Sequence, residues 1–417
     1  MERCDFLPVS AEEMHERGWW WYDALVVGGD AYVDHPSFGT AVISRVLEAE
    51  GLRVAVLAQP DWHDAEAFRA MGRPRLGVFI GAGNLDSMVA HYTAAKRRRS
   101  EDFYSPGKRS GCRPDRAAIV YCNRAREAFG PDMPIILGSL EASLRRFAHY
   151  DYWDDSVRRA ILFDAPADLL VYGMGEAATI EIAHRLKKKQ SVRTMTDIPG
   201  TGYITRDPSV CKFDHITLPS FEDVRDDKRL YAEATRTEYA EHDPIRGRAM
   251  IQPCEGRYLI INPPAMPLDT KELDRVAELP YTREWHPMYE PLGGVPAIEE
   301  VRFSVIHNRG CFGGCSFCAL AFHQEPQPRE RHPRGRGHDA PPALEGVRIR
   351  CRRPVGKLPP PIVPPAVGAR HVPEPAVPRA DAVPEYRRRP LGLSRPAAQA
   401  APDPRREEGV RAQRHPL

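Results

Sequence analysis

The sequence predicts an α/β fold whose amino-terminal part is a doubly wound parallel sheet, and three observations predict it. Short apolar runs without polar alternation recur through the first 190 residues. Helical patterns separate them. Most runs end in glycine. Strands that are apolar throughout belong to a parallel sheet covered on both faces. Helices between them provide the crossovers such a sheet needs. The expected domain boundaries are 1–190 for this α/β domain, 191–300 for an irregular connector, 301–324 for the start of a further domain and 325–417 for a disordered tail.

The elements follow in order. Ala24–Val27 reads as the first strand, followed by Gly28-Gly29-Asp30. Phe38–Glu50 reads as a helix closed by Gly51. Val54–Leu57 is a second strand and Gly77–Ile80 a third, ending in Gly81-Ala82-Gly83. Pro114–Phe129 reads as a helix, Ile135–Leu137 as a fourth strand before Gly138, and Asp168–Tyr172 as a fifth. Gly173-Met174-Gly175-Glu176 then opens a helix through about Leu186. Open α/β sheets bind ligands at the carboxyl ends of their strands, where these glycines lie. They either cradle a ligand or only make tight turns. None of the loops forms G-x-G-x-x-G, so a nicotinamide dinucleotide is not expected. Asp30, Asp34 and His35 cluster after the first strand, as a hydrogen-bonded loop or as metal ligands. The basic runs Lys96–Arg99 and Lys187–Lys189 read as solvated surface. Residues 191–300 show no regular period and are rich in Pro, Tyr and charge, which suggests an extended connector.

Composition changes after Gln324. Residues 325–417 hold 20 of the 41 prolines, and 18 Arg and one Lys against 7 Glu and 3 Asp, a net charge of +9. The chain as a whole carries +2, so the rest is acidic at −7. The tail has one aromatic, Tyr386, and no Thr, Asn, Phe, Trp or Met. Such a segment cannot bury enough apolar surface to offset its ordering entropy, and disorder is expected. Basic nucleic-acid arms interleave Lys, Ser, Gly and aromatics with Arg; this tail is largely Pro, Arg, Ala and Gly, with one Lys, one Ser and one aromatic, so nucleic-acid binding ranks last among its readings. No apolar run is long enough to span a bilayer and no secretory signal opens the chain.

Nine cysteines are present, and six are scattered singly, as expected of free thiols in a reducing cytoplasm. The other three form Cys311-x-x-x-Cys315-x-x-Cys318 after a strand candidate, Val301–His307. Three thiolates on a short glycine-containing loop can each hold one iron of a [4Fe–4S] cube and leave the fourth iron open to an exogenous ligand. Gly310, Gly313 and Gly314 let the backbone wrap the cluster, and Phe317 is placed to pack against an adenine. A structural zinc site would need a fourth ligand, for which His323 is the nearby candidate.

The string R-G-C-F-G-G-C-S-F-C-A-L resembles the cluster loop of radical S-adenosylmethionine (SAM) enzymes. The opening F-L-P-V-S-A-E-E-M, the segment W-Y-D-A-L-V-V-G-G-D-A-Y-V-D-H-P-S-F-G and the block L-P-Y-T-R-E-W-H-P-M-Y extend the likeness to the YgiQ family of radical SAM proteins, across residues 1–324. The resemblance implies a cobalamin-binding-like α/β domain preceding a radical SAM (β/α) barrel. It implies a [4Fe–4S] cluster on Cys311, Cys315 and Cys318, SAM as cofactor, and an electron donor such as a flavodoxin or ferredoxin. Gly173-Met174-Gly175-Glu176 resembles the G-x-G-E turn of such domains. The cobalamin-ligand pattern D-x-H-x-x-G is not met at His35: Val33 stands where Asp is needed, and Gly39 is one place too far. A non-catalytic cobalamin- or nucleotide-binding-like domain is the alternative function.

Shifted by one base, the tail permits K-G-Y-A-S-D-V-G-G-P-S-A-N-F-R from Glu345–Pro359, S-R-S-H-E-S from Glu325–Glu330 and S-G-I-R-Y-D from Gln413 onward. All three resemble the family's barrel segments, in the right order. The tail therefore reads as the product of a frameshift near codon 324, which leaves the barrel incomplete and SAM cleavage weak or absent.

Overall fold

The computed structural model describes residues 5–304, 309–311, 315 and 318–323. The expected disorder of 325–417 lies outside these residues, as do Phe317 and residues 305–307 of the strand candidate Val301–His307; its first three residues, Val301–Phe303, form a turn.

Eleven strands are present among the described residues: β1 Ala24–Gly28, β2 Val54–Ala58, β3 Gly77–Gly81, β4 Ile135–Gly138, β5 His149–Asp151, β6 Ser156–Arg158, β7 Leu169–Val171, β8 Thr201–Thr205, β9 His215–Thr217, β10 Ala249–Cys254 and β11 Arg257–Ile261. Nine of them form one sheet in the order β2-β1-β3-β4-β7-β8-β11-β10-β9. β5 and β6 pair as a separate antiparallel hairpin. The first five strands of the large sheet run parallel. Their order reverses at β1, whose neighbours β2 and β3 lie on opposite sides, so a crevice opens at the carboxyl ends of β1 and β3.

Strand geometry sends alternate residues to opposite faces, and two core clusters result. Val26, Val56, Phe79, Ile136 and Val171 pack with Val42, Val46, Ile182 and Leu186, from the helices Gly39–Ala49 and Glu176–Lys187. Leu25, Val27, Ile80, Ile135 and Leu137 pack on the other face with Tyr121, Cys122 and Phe129 of the helix Ala117–Phe129. That helix starts three residues later than the sequence suggests, because Arg116 adopts a left-handed φ of 52°. Its guanidinium there pairs with Asp151 at 2.9 Å and Asp154 at 2.7 Å.

Residues 191–300 differ from expectation. They are not an irregular connector: β8, β11, β10 and β9 continue the sheet from β7. β10 and β11 form a hairpin around Glu255-Gly256, both with positive φ (49° and 71°), the backbone that a two-residue turn between twisted strands requires. Pro253 is tolerated in β10 because β9 pairs only with Ala249–Ile251. Ile260 and Ile251 enter the first core cluster, and Leu259 and Ile261 the second.

Candidate functional site

The carboxyl ends of the parallel strands surround a cavity of about 480 Å³. Val26, Phe79, Ile136 and Val171 form its apolar floor, and Thr40, Asn84, Ser139 and Thr179 offer side-chain polar groups at its wall. Arg309, Leu320 and His323, from either side of the cysteine loop, also line it.

Buried ion pairs fix the loops around this cavity. Arg113 donates to Asp30 and to Asp102, each at 2.8 Å, and Asp30 also accepts the Asn84 N–H at 2.6 Å. Burial pushes the Asp30 carboxyl up, and the Arg113 charge opposes it. Gly83 sits against this cluster at φ 110°, where a Cβ would overlap the Asp30 carboxylate. At Gly29 a Cβ would overlap the Ala82 backbone, so this glycine serves close packing of two loops. Asp34 pairs with Arg45 and accepts the Thr282 N–H at 2.9 Å. Glu141 accepts the N–H groups of Ser87 at 2.9 Å and Ala118 at 3.1 Å; burial and nearby Asp86 push its carboxyl up.

His35 is buried, and its Nδ1 accepts the Ser37 N–H at 3.1 Å. Burial, reinforced by the Arg283 charge, pushes its pKa down to about 4, so the ring is neutral. Asp30, Asp34 and His35 therefore have separate partners, in keeping with a hydrogen-bonded loop. The described cavity lining includes Pro36 and Ser37 but not His35. Lys96–Arg99 and Lys187–Lys189 are exposed.

The cysteine loop rises from this edge. Cys311, Cys315 and Cys318 are exposed, and the Cys318 N–H donates to the Cys315 carbonyl at 3.1 Å. Gly310, just before the first cysteine, has φ 77°. Among the described residues no three His, Cys, Asp or Glu side chains converge as a metal site, so the structure does not draw the three sulfurs together. The donor set nonetheless suits a [4Fe–4S] cluster: three exposed thiols on one loop, with no fourth cysteine nearby in the sequence. His323, the candidate zinc ligand, is neutral, its pKa pushed down to about 4 by burial and the Arg146 charge.

Two contacts tie the loop down, and the sequence reading missed both. Arg309 pairs with Glu176, the first residue of the helix Glu176–Lys187. Arg146 donates to the Phe322 carbonyl at 3.0 Å and lies 3.7 Å from the Phe322 ring centroid. Phe322 also stacks on Tyr239 at 5.0 Å. The G-x-G-E turn marked Glu176 in the sequence, but Arg146 sits in an ordinary Arg-Arg pair that marks nothing.

Comparison with known proteins places the chain. Residues 6–304 match the family described as radical SAM N-terminal. The chain belongs to this family. Its curated relatives include UPF0313 (YgiQ-type) proteins of Clostridium. One from C. botulinum (strain 657 / Type Ba4) is 55% identical over 324 residues, covering 78% of this chain and 50% of the relative. One from C. perfringens (strain SM101 / Type A) is 53% identical over 324 residues, covering 78% and 49%. The chain thus spans about half the length of these relatives. Among solved structures, the radical SAM methyltransferase TsrM from Kitasatospora setae, with tryptophan substrate and a SAM analogue bound, is 20% identical, with a TM-score of 0.29 over 43% of this chain and 28% of that one. A likeness of that size identifies neither fold nor ligand. No helix among the described residues is long and apolar enough to cross a membrane.

Proposed function

We propose that Cys311, Cys315 and Cys318 hold a [4Fe–4S] cluster whose open iron accepts SAM, in a cytoplasmic radical SAM protein. The observation that supports this most is the C-x₃-C-x₂-C spacing of three exposed thiols, directly after a segment of the radical SAM N-terminal family. A cluster with three thiolate ligands leaves one iron for an exogenous chelate. Phe317 would pack against the adenine of SAM. When bound, cluster and SAM supply 5′-deoxyadenosyl radical chemistry, with electrons from a flavodoxin- or ferredoxin-type donor. The sheet's carboxyl edge supplies the support: Glu176 and Arg146 hold the segments flanking the cysteines.

In this chain residues 325–417 carry a composition foreign to a barrel, and we assign them to a frameshift near codon 324. SAM cleavage is then weak or absent. Anaerobic reconstitution with iron and sulfide, electron paramagnetic resonance of the reduced protein and a 5′-deoxyadenosine assay test this reading. A reduced-cluster signal with little 5′-deoxyadenosine is expected; turnover comparable to a complete radical SAM enzyme refutes the loss of activity, and resequencing codons 320–330 tests its cause.

A second reading has one observation in its favour. The 480 Å³ cavity lies at the switch point of the sheet, where doubly wound domains bind ligands. A non-catalytic cobalamin- or nucleotide-binding domain would retain such a compound through purification. The corrinoid form of this reading is less favoured, because His35 is not among the described residues that line the cavity.

A further inference from the structure

The segments on either side of the cysteine loop each meet a buried charged residue of the sheet's carboxyl edge. On the amino side Arg309, two residues before Cys311, pairs with Glu176; the two side chains are 14% and 4% exposed. Glu176 is fixed in turn as the first residue of a 12-residue helix packed on the sheet. Its second carboxylate oxygen is buried without a hydrogen-bond partner among the described residues, so Arg309 is its main compensation. On the carboxyl side Arg146, 1% exposed, donates to Ser143 O at 2.7 Å and to Phe322 O at 3.0 Å. The Phe322 ring packs between the Arg146 guanidinium and Tyr239. The cysteines between these two points are exposed, and the Cys315–Cys318 backbone contact is local.

Charge-assisted hydrogen bonds in a buried setting are directional, and removing one partner leaves the other uncompensated. A cation over an aromatic ring adds to the carboxyl-side contact. We propose that Glu176 and Arg146 are positioning residues that set the two ends of the cysteine loop on the carboxyl edge of the sheet, and that cluster retention depends on both. They act through Arg309 and Phe322, as outer partners orient ligands in other metal sites. The dependence on cluster retention rests on the cluster reading above, whereas the anchoring does not.

The test uses the full 417-residue chain. Hydrogen–deuterium exchange of the apo protein is followed in peptides spanning residues 309–323, with peptides of β1 and β3 as internal controls for the fold. Iron content after anaerobic reconstitution is measured in parallel. Glu176→Gln keeps the shape and removes the charge; Arg146→Met removes the donor and the cation; Arg309→Lys keeps the charge. Glu176→Gln and Arg146→Met are expected to speed exchange in 309–323 by about fivefold or more, the factor that corresponds to a modest loss of stability, and to lower retained iron. Arg309→Lys is expected to stay near the parent in both readouts. Should Arg146→Met lose the control protection as well, Glu176→Gln and Arg309→Gln test the amino-side anchor by themselves. Unchanged exchange in the variants that remain folded overturns the anchoring. Faster exchange with undiminished iron overturns the dependence of the cluster on it. A parent chain that takes up no iron, with exchange still responding as described, removes the cluster reading and leaves the anchoring standing.

Discussion

Strands β1, β3, β4 and β7 are buried almost throughout, while β8, β9, β10 and β11 extend the same sheet under different rules. The first group is parallel, joined by crossovers, and apolar on both faces because helices cover both. The second group joins through antiparallel pairs from β7 as far as β10, adds the exposed edge strand β9 parallel to β10, and tolerates a proline. Both groups nevertheless feed the same two core clusters. Continuity of the core, rather than similarity of pattern, makes the nine strands one sheet.

Four expectations would break or sharpen this comparison. The largest effect falls in the parallel half. Arg113→Ala strands Asp30 and Asp102, both nearly inaccessible, and is expected to cost about 3–5 kcal/mol in chemical denaturation. A near-neutral result would mean that water reaches this cluster. Next, Leu25→Ala in β1 and Leu259→Ala in β11 should each cost about 2–5 kcal/mol within one cooperative transition, since both residues are fully buried in one cluster. A separate early transition for Leu259→Ala would divide the sheet into two folding units. Gly83→Ala should cost about 1–3 kcal/mol, because its φ of 110° is strained for any side chain and its Cβ meets Asp30.

The smallest single-group effects are acid-dependent. Burial holds His35 and His149 down to a pKa of about 4 and His242 down to about 3. These rings stay neutral when folded, while the unfolded chain takes up protons below about 6.5. Their stabilising contribution is therefore complete above that pH and is lost as pH falls toward 4. Thermal midpoints should drop between pH 7 and pH 5, and His149→Gln or His242→Gln should flatten the dependence. A midpoint that stays level over that range would contradict neutral burial in either half.

The difference between the halves also explains what was legible. Ala24–Val27, Val54–Leu57, Gly77–Ile80 and Ile135–Leu137 stood out because double-sided burial makes a strand an unbroken apolar run, and each structural strand ends one residue later. β10 and β11 carry Gln252, Pro253, Arg257 and Tyr258, residues that blur any run, and their turn is Glu-Gly rather than Asn-Gly. Their pairing is set by neighbours distant in sequence. At the site, the cysteine spacing was legible because all three cysteines fall within one short stretch of sequence, Cys311 to Cys318. The Arg309–Glu176 and Arg146–Phe322 contacts were not, since they join residues 133 and 176 positions apart.

Iron and sulfide content after anaerobic reconstitution tests the central claim most directly, comparing the full chain with its Cys311→Ala/Cys315→Ala/Cys318→Ala variant. The account predicts about four irons and as many sulfides per parent chain and a loss of nearly all of them in the variant. Equal iron in both proteins, or none in the parent, would contradict it.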